Sequence, residues 1–322
     1  MTVSDALTII NKEIESIEYP QNQSGLYDPI TYLLTLKGKK IRPALTLLAC
    51  NMYCGEVKEA INAALAWEIF HNFTLMHDDV MDKADLRRGH ASVHKKWNEN
   101  TAILSGDAML ILSYVYISKS PSLHLKILLD LFSDTAAKIC EGQQLDMEFE
   151  QRTTISEEEY IDMIRLKTAV MMGACLKSGA ILGGANESDQ SSLYEFGVLL
   201  GTAFQIKDDW LDVYGNPDVF GKKTGGDILC NKKTFLLVTA LETAKGEDRE
   251  ALFYWLGNHT QPNEKINAIR QLYDKLEIKE KTLSVLQNYY HQAINTLQKV
   301  SVDSARKQEL ENVAGDLIER EY

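Results

Sequence analysis

Residues 63–82 read AALAWEIFHNFTLMHDDVMD: a nearly unbroken apolar run from Ala63 to Met76, then the carboxylates Asp78, Asp79 and Asp82. A run of that length that is apolar on every side predicts a helix buried in a core. The carboxylates then emerge from the end of that core helix. The next residues, KADLRRGH (Lys83–His90), bring the adjacent arginines Arg87 and Arg88.

Working outward, the chain has only six prolines in 322 residues. The segments between them show apolar spacing of three to four rather than strict alternation, so the fold class expected is all-α. Helices are expected at about 4–18, 27–37, 42–54, 56–83, 101–118, 122–149, 157–184, 188–214, 232–244, 247–257, 263–276, 280–299 and 302–320, with no strand. The SEEE at 156–159 reads as a capping box, with Ser156 capping and Glu159 reaching back. No linker rich in proline, glycine or serine separates two halves, so residues 1–322 are expected to form one domain. The longest irregular segment, GNPDVFGKKTGGDILCNKK (Gly215–Lys233), holds four glycines and four lysines, and loops of that length are often functional.

Composition narrows the function. At 45% hydrophobic residues a sizeable core is available. Lys and Arg number 34 against 46 Asp and Glu, a formal charge of −12, which argues against nucleic acid or anionic lipid as partner. The N-terminal MTVSDALTIINKEIESIEYP lacks the pattern of an export signal. The stretch MMGACLKSGAILGGA is broken by Lys177 and falls short of the roughly 18 to 20 residues a spanning helix needs. No transmembrane segment and a cytoplasmic location are expected. Five cysteines without a CxxC pair suit free thiols in a reducing compartment. Cys50 and Cys54, with His71 and His77, read as core residues rather than a zinc site. His90 and His94 lack a third ligand.

The motif HDDVMD (77–82) returns as KDDWLD (207–212). In a helix, residues i and i+4 share a face with a rise of about 6 Å, so Asp78 pairs with Asp82 and Asp208 with Asp212. Each pair is a carboxylate pincer whose like charges need a cation. Mg²⁺ suits it: the ion takes oxygen ligands, keeps waters, and binds one or two carboxylates together with phosphate oxygens. No DxDxDG loop of the EF-hand type is present. KGKKIRP (Lys37–Pro43) places four positive charges at a helix entry, a natural seat for a second, metal-free phosphate group.

Taken together, GKKIRP, LMHDDVMDKADLRRG, EGQQLD, RLKTA and FQIKDDWLDVYGNPDVFGKKTGGDI resemble the motifs of the trans-isoprenyl diphosphate synthase (polyprenyl synthetase) family, in the family's order, from about residue 25 to residue 240. The resemblance implies an all-α, isoprenoid synthase-type bundle around a deep central cavity. It also implies a homodimer that joins isopentenyl diphosphate to an allylic diphosphate with the help of Mg²⁺, three ions in all. By that resemblance Asp78, Asp82 and Asp208 ligate the metal, with Asp79, Asp209 and Asp212 supporting them. Lys39, Arg42, His71 and Arg88 hold isopentenyl diphosphate. Arg87, Lys167 and Lys222 contact the allylic diphosphate, with Lys232 close by. The Thr168 hydroxyl, the Gln205 amide oxygen and the Lys167 carbonyl lie near the allylic cation, and Gln143 and Asp146 line the cavity. The chain departs from the family in having Lys37 for a glycine and Lys40 for an arginine.

Phe73, five residues before Asp78, resembles the aromatic floor of short-chain members, with Thr74 beside it. This favours a twenty-carbon product, geranylgeranyl diphosphate, with fifteen-carbon farnesyl diphosphate as the alternative. A class I terpene cyclase would lack the second diphosphate site. A regulatory, non-catalytic subunit would have eroded one aspartate motif, and both are intact.

Overall fold

The computed structural model describes residues 1–216 and 224–319. Among them, regular structure is helical apart from one small hairpin, so the all-α expectation holds. The helices are α1 (Val3–Glu15), α2 (Ser24–Thr35), α3 (Ile41–Asn51), α4 (Ile61–Met81), α5 (Val93–Lys96), α6 (Glu99–Ile117), α7 (Ser122–Gln151) and α8 (Glu157–Ile164). After a π segment at Arg165–Ala169 come α9 (Val170–Gly183), α10 (Glu187–Tyr214), α11 (Gly226–Leu229), α12 (Phe235–Thr243), α13 (Gly246–Leu256), α14 (Pro262–Lys275), α15 (Ile278–Gln298) and α16 (Ser304–Glu319). The chain divides into two compact units.

The first unit comprises Met1–Asp134, Ala174–Tyr194 and Val300–Leu310. Its centre is α4, which packs along α6 and α3. Ala63, Ala64, Leu65, Ala66, Trp67, Ile69 and Phe70 are all buried, as a helix apolar on every side must be. Even its one indole is satisfied, Trp67 Nε1 donating to Ser178 Oγ at 3.0 Å. The small residues of the stretch around Lys177 serve close packing: a Cβ on Gly183 would stand 2.7 Å from the Cys50 carbonyl of α3. Cys50 and Cys175 are buried, while Cys54, Cys140 and Cys230 are exposed, and all five are free.

The second unit comprises Thr135–Gly173, Glu195–Lys299 and Glu311–Tyr322. Its core gathers Val213, Leu236, Leu237, Leu252, Ile269 and Tyr273 from α10 and α12 to α14. The capping box read at 156–159 is present: Glu159 N donates to Ser156 Oγ at 3.1 Å and Ser156 N to Glu159 Oε2 at 2.8 Å.

Three local features depart from the sequence expectation. The helix expected at 157–184 is interrupted by the π segment. The short helices α5 and α11 lie in stretches read as irregular. A hairpin joins β1 (Leu86–Arg87) to β2 (His90–Ala91), with Arg87 opposite His90. Its two-residue turn, Arg88–Gly89, has φ of 53° and 78°. Positive φ at both central residues is the type I′ geometry, which matches strand twist. Two-residue strands are too short to show alternation, so the hairpin leaves no periodic trace in the sequence.

Candidate active site

The first aspartate motif ends α4. Asp82 is the C-cap, and Lys83 follows in the left-handed region at φ 52°. Ala84 N donates to Asp79 O at 3.0 Å and Lys83 N to Val80 O at 3.3 Å. That pair of bonds is a Schellman motif closed by lysine instead of glycine. The motif stops the helix where Asp78 and Asp82 stand one turn apart, at the negative end of the helix dipole. Like charge stacked on that end calls for a cation.

The middle carboxylate points the other way. Asp79 is 1% exposed and grips Arg87 of β1 with both oxygens. Arg87 Nε donates to Oδ1 at 3.0 Å and to Oδ2 at 3.1 Å, and Nη2 adds a further bond to Oδ1. A bidentate pair of this kind fixes orientation as well as charge. It staples the hairpin to α4 and so sets where Arg88 lies in the turn.

Arg88 belongs to a basic cluster built from three elements. Its guanidinium lies on Gly38, where a Cβ would come within 2.7 Å of Cζ. Of the two glycines usual in the family, the one retained here is therefore the one the arginine needs. Lys37, in the place of the other, is exposed, as is Lys39. Lys40 caps α3 in the left-handed region at φ 43°, ψ 38°. Such backbone strain in a residue other than glycine tends to gather at functional sites. Arg42, in the first turn of α3, meets His71 of α4, with Nη1 3.2 Å from Nε2. A guanidinium can only donate, so His71 accepts at Nε2 and carries its proton on Nδ1. Burial first, then the charges of Arg42, Arg88 and Arg87, hold its pKa well below the ordinary histidine value. The imidazole is neutral.

Phe73 is half-buried on α4. Its ring lies 5.5 Å from Phe70 and 4.8 Å from His77. Phe70 in turn meets Phe132 edge to face at 5.3 Å, and Phe132 meets Tyr114 edge to face at 4.9 Å. Thr74 turns its hydroxyl back to the His71 carbonyl at 2.8 Å.

In the second unit the middle aspartate of KDDWLD again faces inward. Asp209 is 4% exposed and accepts from Tyr160 Oη, from Phe235 N at 2.9 Å and from Gln205 Nε2 at 3.3 Å. Burial pushes its pKa up to about 7, while the bonds from Tyr160 and Phe235 pull against that rise. Because Gln205 spends its nitrogen on Asp209, its amide oxygen is left to point elsewhere. Asp212 caps the far end of the long loop: Oδ2 accepts from Asp227 N at 3.1 Å and its carbonyl from Gly225 N at 2.6 Å. Burial is the main cause of its raised pKa. Asp208 is half-buried. Lys232, at the loop's end, is exposed and close enough to lower the pKa of Asp209. Lys222 lies outside the described residues.

RLKTA forms the π segment, with Val170 N donating to Arg165 O. π turns inside helices occur frequently at functional sites. Lys167 Nζ reaches Asp146 Oδ2 of α7 at 2.5 Å, which fixes its chain, and Thr168 is half-buried beside it. Two glycines seat the segment. A Cβ on Gly142 of α7 would come within 2.7 Å of Lys167 Cα, and one on Gly201 of α10 within 2.7 Å of Ala169 Cα. Gln143 follows Gly142, half-buried.

Sequence reasoning singled out none of Gly142, Gly201, Tyr160, Gly38 or Glu68. The glycines and the tyrosine leave no signal until their partners are known. Glu68 did leave one, as the sole charged residue in an apolar run.

An all-α scaffold carrying two inward-anchored aspartate motifs, with cationic groups in each unit, defines an enzyme that handles diphosphates. The polyprenyl synthetase family model matches residues 23–275, and the chain belongs to that family; it is a prenyltransferase. It is 39% identical over 293 residues to the short chain isoprenyl diphosphate synthase of Methanothermobacter thermautotrophicus, covering 90% of this chain and 89% of that one. It is 42% identical over 219 residues to the geranylgeranyl diphosphate synthase of Methanosarcina mazei, covering 67% of this chain and 68% of that one. A crystal structure of a geranylgeranyl pyrophosphate synthase superposes with a TM-score of 0.95 at 41% identity, over 99% of each chain.

Proposed function

We propose that the protein is a geranylgeranyl diphosphate synthase, condensing isopentenyl diphosphate head to tail with an allylic diphosphate and releasing diphosphate. The observation that carries the product length is Phe73. It stands five residues before Asp78, backed by the buried rings of Phe70 and Phe132, a packed aromatic cluster that a growing apolar chain would not displace. Relatives that bear the same product in their names support the reading.

The donor set fits Mg²⁺. Mg²⁺ takes one or two carboxylates and draws the rest from water and phosphate, and Asp78 and Asp82 stand one turn apart at the end of α4. Asp78, Asp82 and Asp208 would hold it. Asp79, Asp209 and Asp212 support them from behind, since each already accepts hydrogen bonds from protein donors. When bound, three such ions would offset the negative charge that builds on the departing diphosphate.

The protein's own groups do the rest. Arg87, Lys167, Lys222 and Lys232 bind and orient the allylic diphosphate, and their charge favours ionisation of the allylic C–O bond. The Lys167 carbonyl, Thr168 hydroxyl and Gln205 amide oxygen present the negative ends of dipoles to the allylic cation. Lys39, Arg42, His71 and Arg88 hold isopentenyl diphosphate so that its double bond attacks. Released diphosphate takes the proton. The reading also takes the protein as a homodimer.

The test is incubation with Mg²⁺, isopentenyl diphosphate and an allylic starter, with products sized by mass spectrometry. A twenty-carbon diphosphate is expected. In Phe73→Ala the product should lengthen by at least one five-carbon unit, and an unchanged distribution would refute Phe73 as floor.

A further inference from the structure

Glu68 is unused by this chemistry. It sits on α4 among apolar residues and is 1% exposed. Its Oε1 accepts from Asn72 Nδ2 at 2.9 Å. Its Oε2 and the Asn72 Oδ1 are buried without a hydrogen-bond partner among the described residues. A carboxyl group so placed is costly unless it is neutral or faces cations.

Cations do face it, from separate elements. Lys40 caps α3, Arg42 lies in the first turn of α3, and Arg88 lies in the hairpin turn; each lowers the pKa of Glu68. Glu68 is in turn the leading anion acting on both Lys40 and Arg88. On its own helix His71 follows one turn later, neutral and bound to Arg42. From α9, Cys175 also feels Glu68, but burial raises its thiol to about 12 and it carries no charge. Burial outweighs the cations and moves Glu68 upward.

We propose that Glu68 is the counter-ion of this cationic cradle and takes up a proton when a metal-free diphosphate fills it, coupling diphosphate binding to protonation inside the first unit. The inference rests on the reading of Lys39, Arg42, His71 and Arg88 as the isopentenyl diphosphate site. In the empty cradle the cations oppose the burial that favours the neutral acid. A bound diphosphate engages those same cations and adds its own negative charge, so that opposition is spent and the buried group takes a proton from solvent more readily.

The sign follows. An anion in the cradle raises the pKa of Glu68, so between its values in the empty and filled protein binding takes up one proton. Affinity then falls as pH rises through that window, by up to about tenfold per pH unit. Outside the window this contribution is flat.

Titration calorimetry of isopentenyl diphosphate into the full chain, with EDTA and in two buffers of different ionisation enthalpy, counts the protons. The wild-type protein should take up close to one proton more than Glu68→Gln, whose amide keeps the shape and cannot titrate. Affinity in Glu68→Gln should change less than about twofold where the wild type falls about tenfold. His71→Asn, which removes the competing acceptor, should keep the uptake. Equal uptake in wild type and Glu68→Gln, or uptake lost only in His71→Asn, overturns the inference and leaves the diphosphate site standing. Absence of binding by the wild type overturns the site itself. Should Glu68→Gln fail to fold, the wild-type profile decides: affinity that, once the ligand's own ionisation is subtracted, falls nowhere with rising pH across the range in which the protein stays folded overturns the proposal.

Discussion

At the scale of residues, the two aspartate motifs use equivalent positions alike. Asp79 and Asp209 both turn inward, one to Arg87 and the other to Tyr160 and Phe235. Their neighbours Asp78 and Asp208 are left half-buried at the surface of each unit. The i, i+4 spacing placed Asp78 with Asp82, and Asp208 with Asp212, on one helix face from sequence alone. The inward role of the middle carboxylate was not legible, because it depends on donors eight residues away in one unit and on another helix in the other. Asp78→Ala removes an outward oxygen donor without touching the Arg87 staple. Turnover should therefore fall by about three orders of magnitude, roughly 4 kcal/mol of barrier, while the far-ultraviolet circular dichroism stays that of the wild type. Near-normal turnover at saturating Mg²⁺ would contradict the assignment.

At the scale of elements, the long helices followed from their apolar repeats, and what escaped was set by tertiary packing. RLKTA reads as an uninterrupted part of a helix, because a π turn uses the same residue types as an α turn. What holds it is the missing side chain at Gly142 and Gly201, on two other helices. Gly142→Ala pushes a methyl group into the Lys167 backbone, so either α7 retreats or the π segment straightens. The expected cost is about 1–3 kcal/mol in urea unfolding, with a larger proportional loss of activity, since Lys167 and Thr168 would shift. Gly55→Ala, at a site with nothing within 4 Å of the added methyl, is the control and should leave both unchanged. Equal behaviour of the two variants would remove the glycine contact as the cause of the π turn. The hairpin escaped for a related reason: Arg88–Gly89 is not among the turn pairs that announce a type I′ loop, and the Arg87–Asp79 staple joins residues too close in sequence to look like a tertiary contact.

At the scale of the whole molecule, the net charge of −12 says nothing of where apolar surface lies, and the first unit shows some. α6 is, by length and composition, apolar enough to cross a membrane, yet only 33% of its most apolar window is buried. Leu104, Ile111 and Val115 are 60%, 65% and 44% exposed. Their spacing of seven and four puts them on one stripe of the helix. Leu123 and Ile127 add exposed apolar area at the start of α7. A contiguous apolar stripe on a folded protein marks a partner surface, and the homodimer of the proposed reading would cover it with its own copy. Leu104→Lys with Ile111→Lys places two ammonium groups per protomer, four per dimer, in such an interface, where they would be buried without partners. Light scattering on the eluting protein should give twice the chain mass for the wild type and the single-chain mass for the double variant. A wild type that elutes as one chain would refute the dimer, and a double variant that stays dimeric would move the interface to another face.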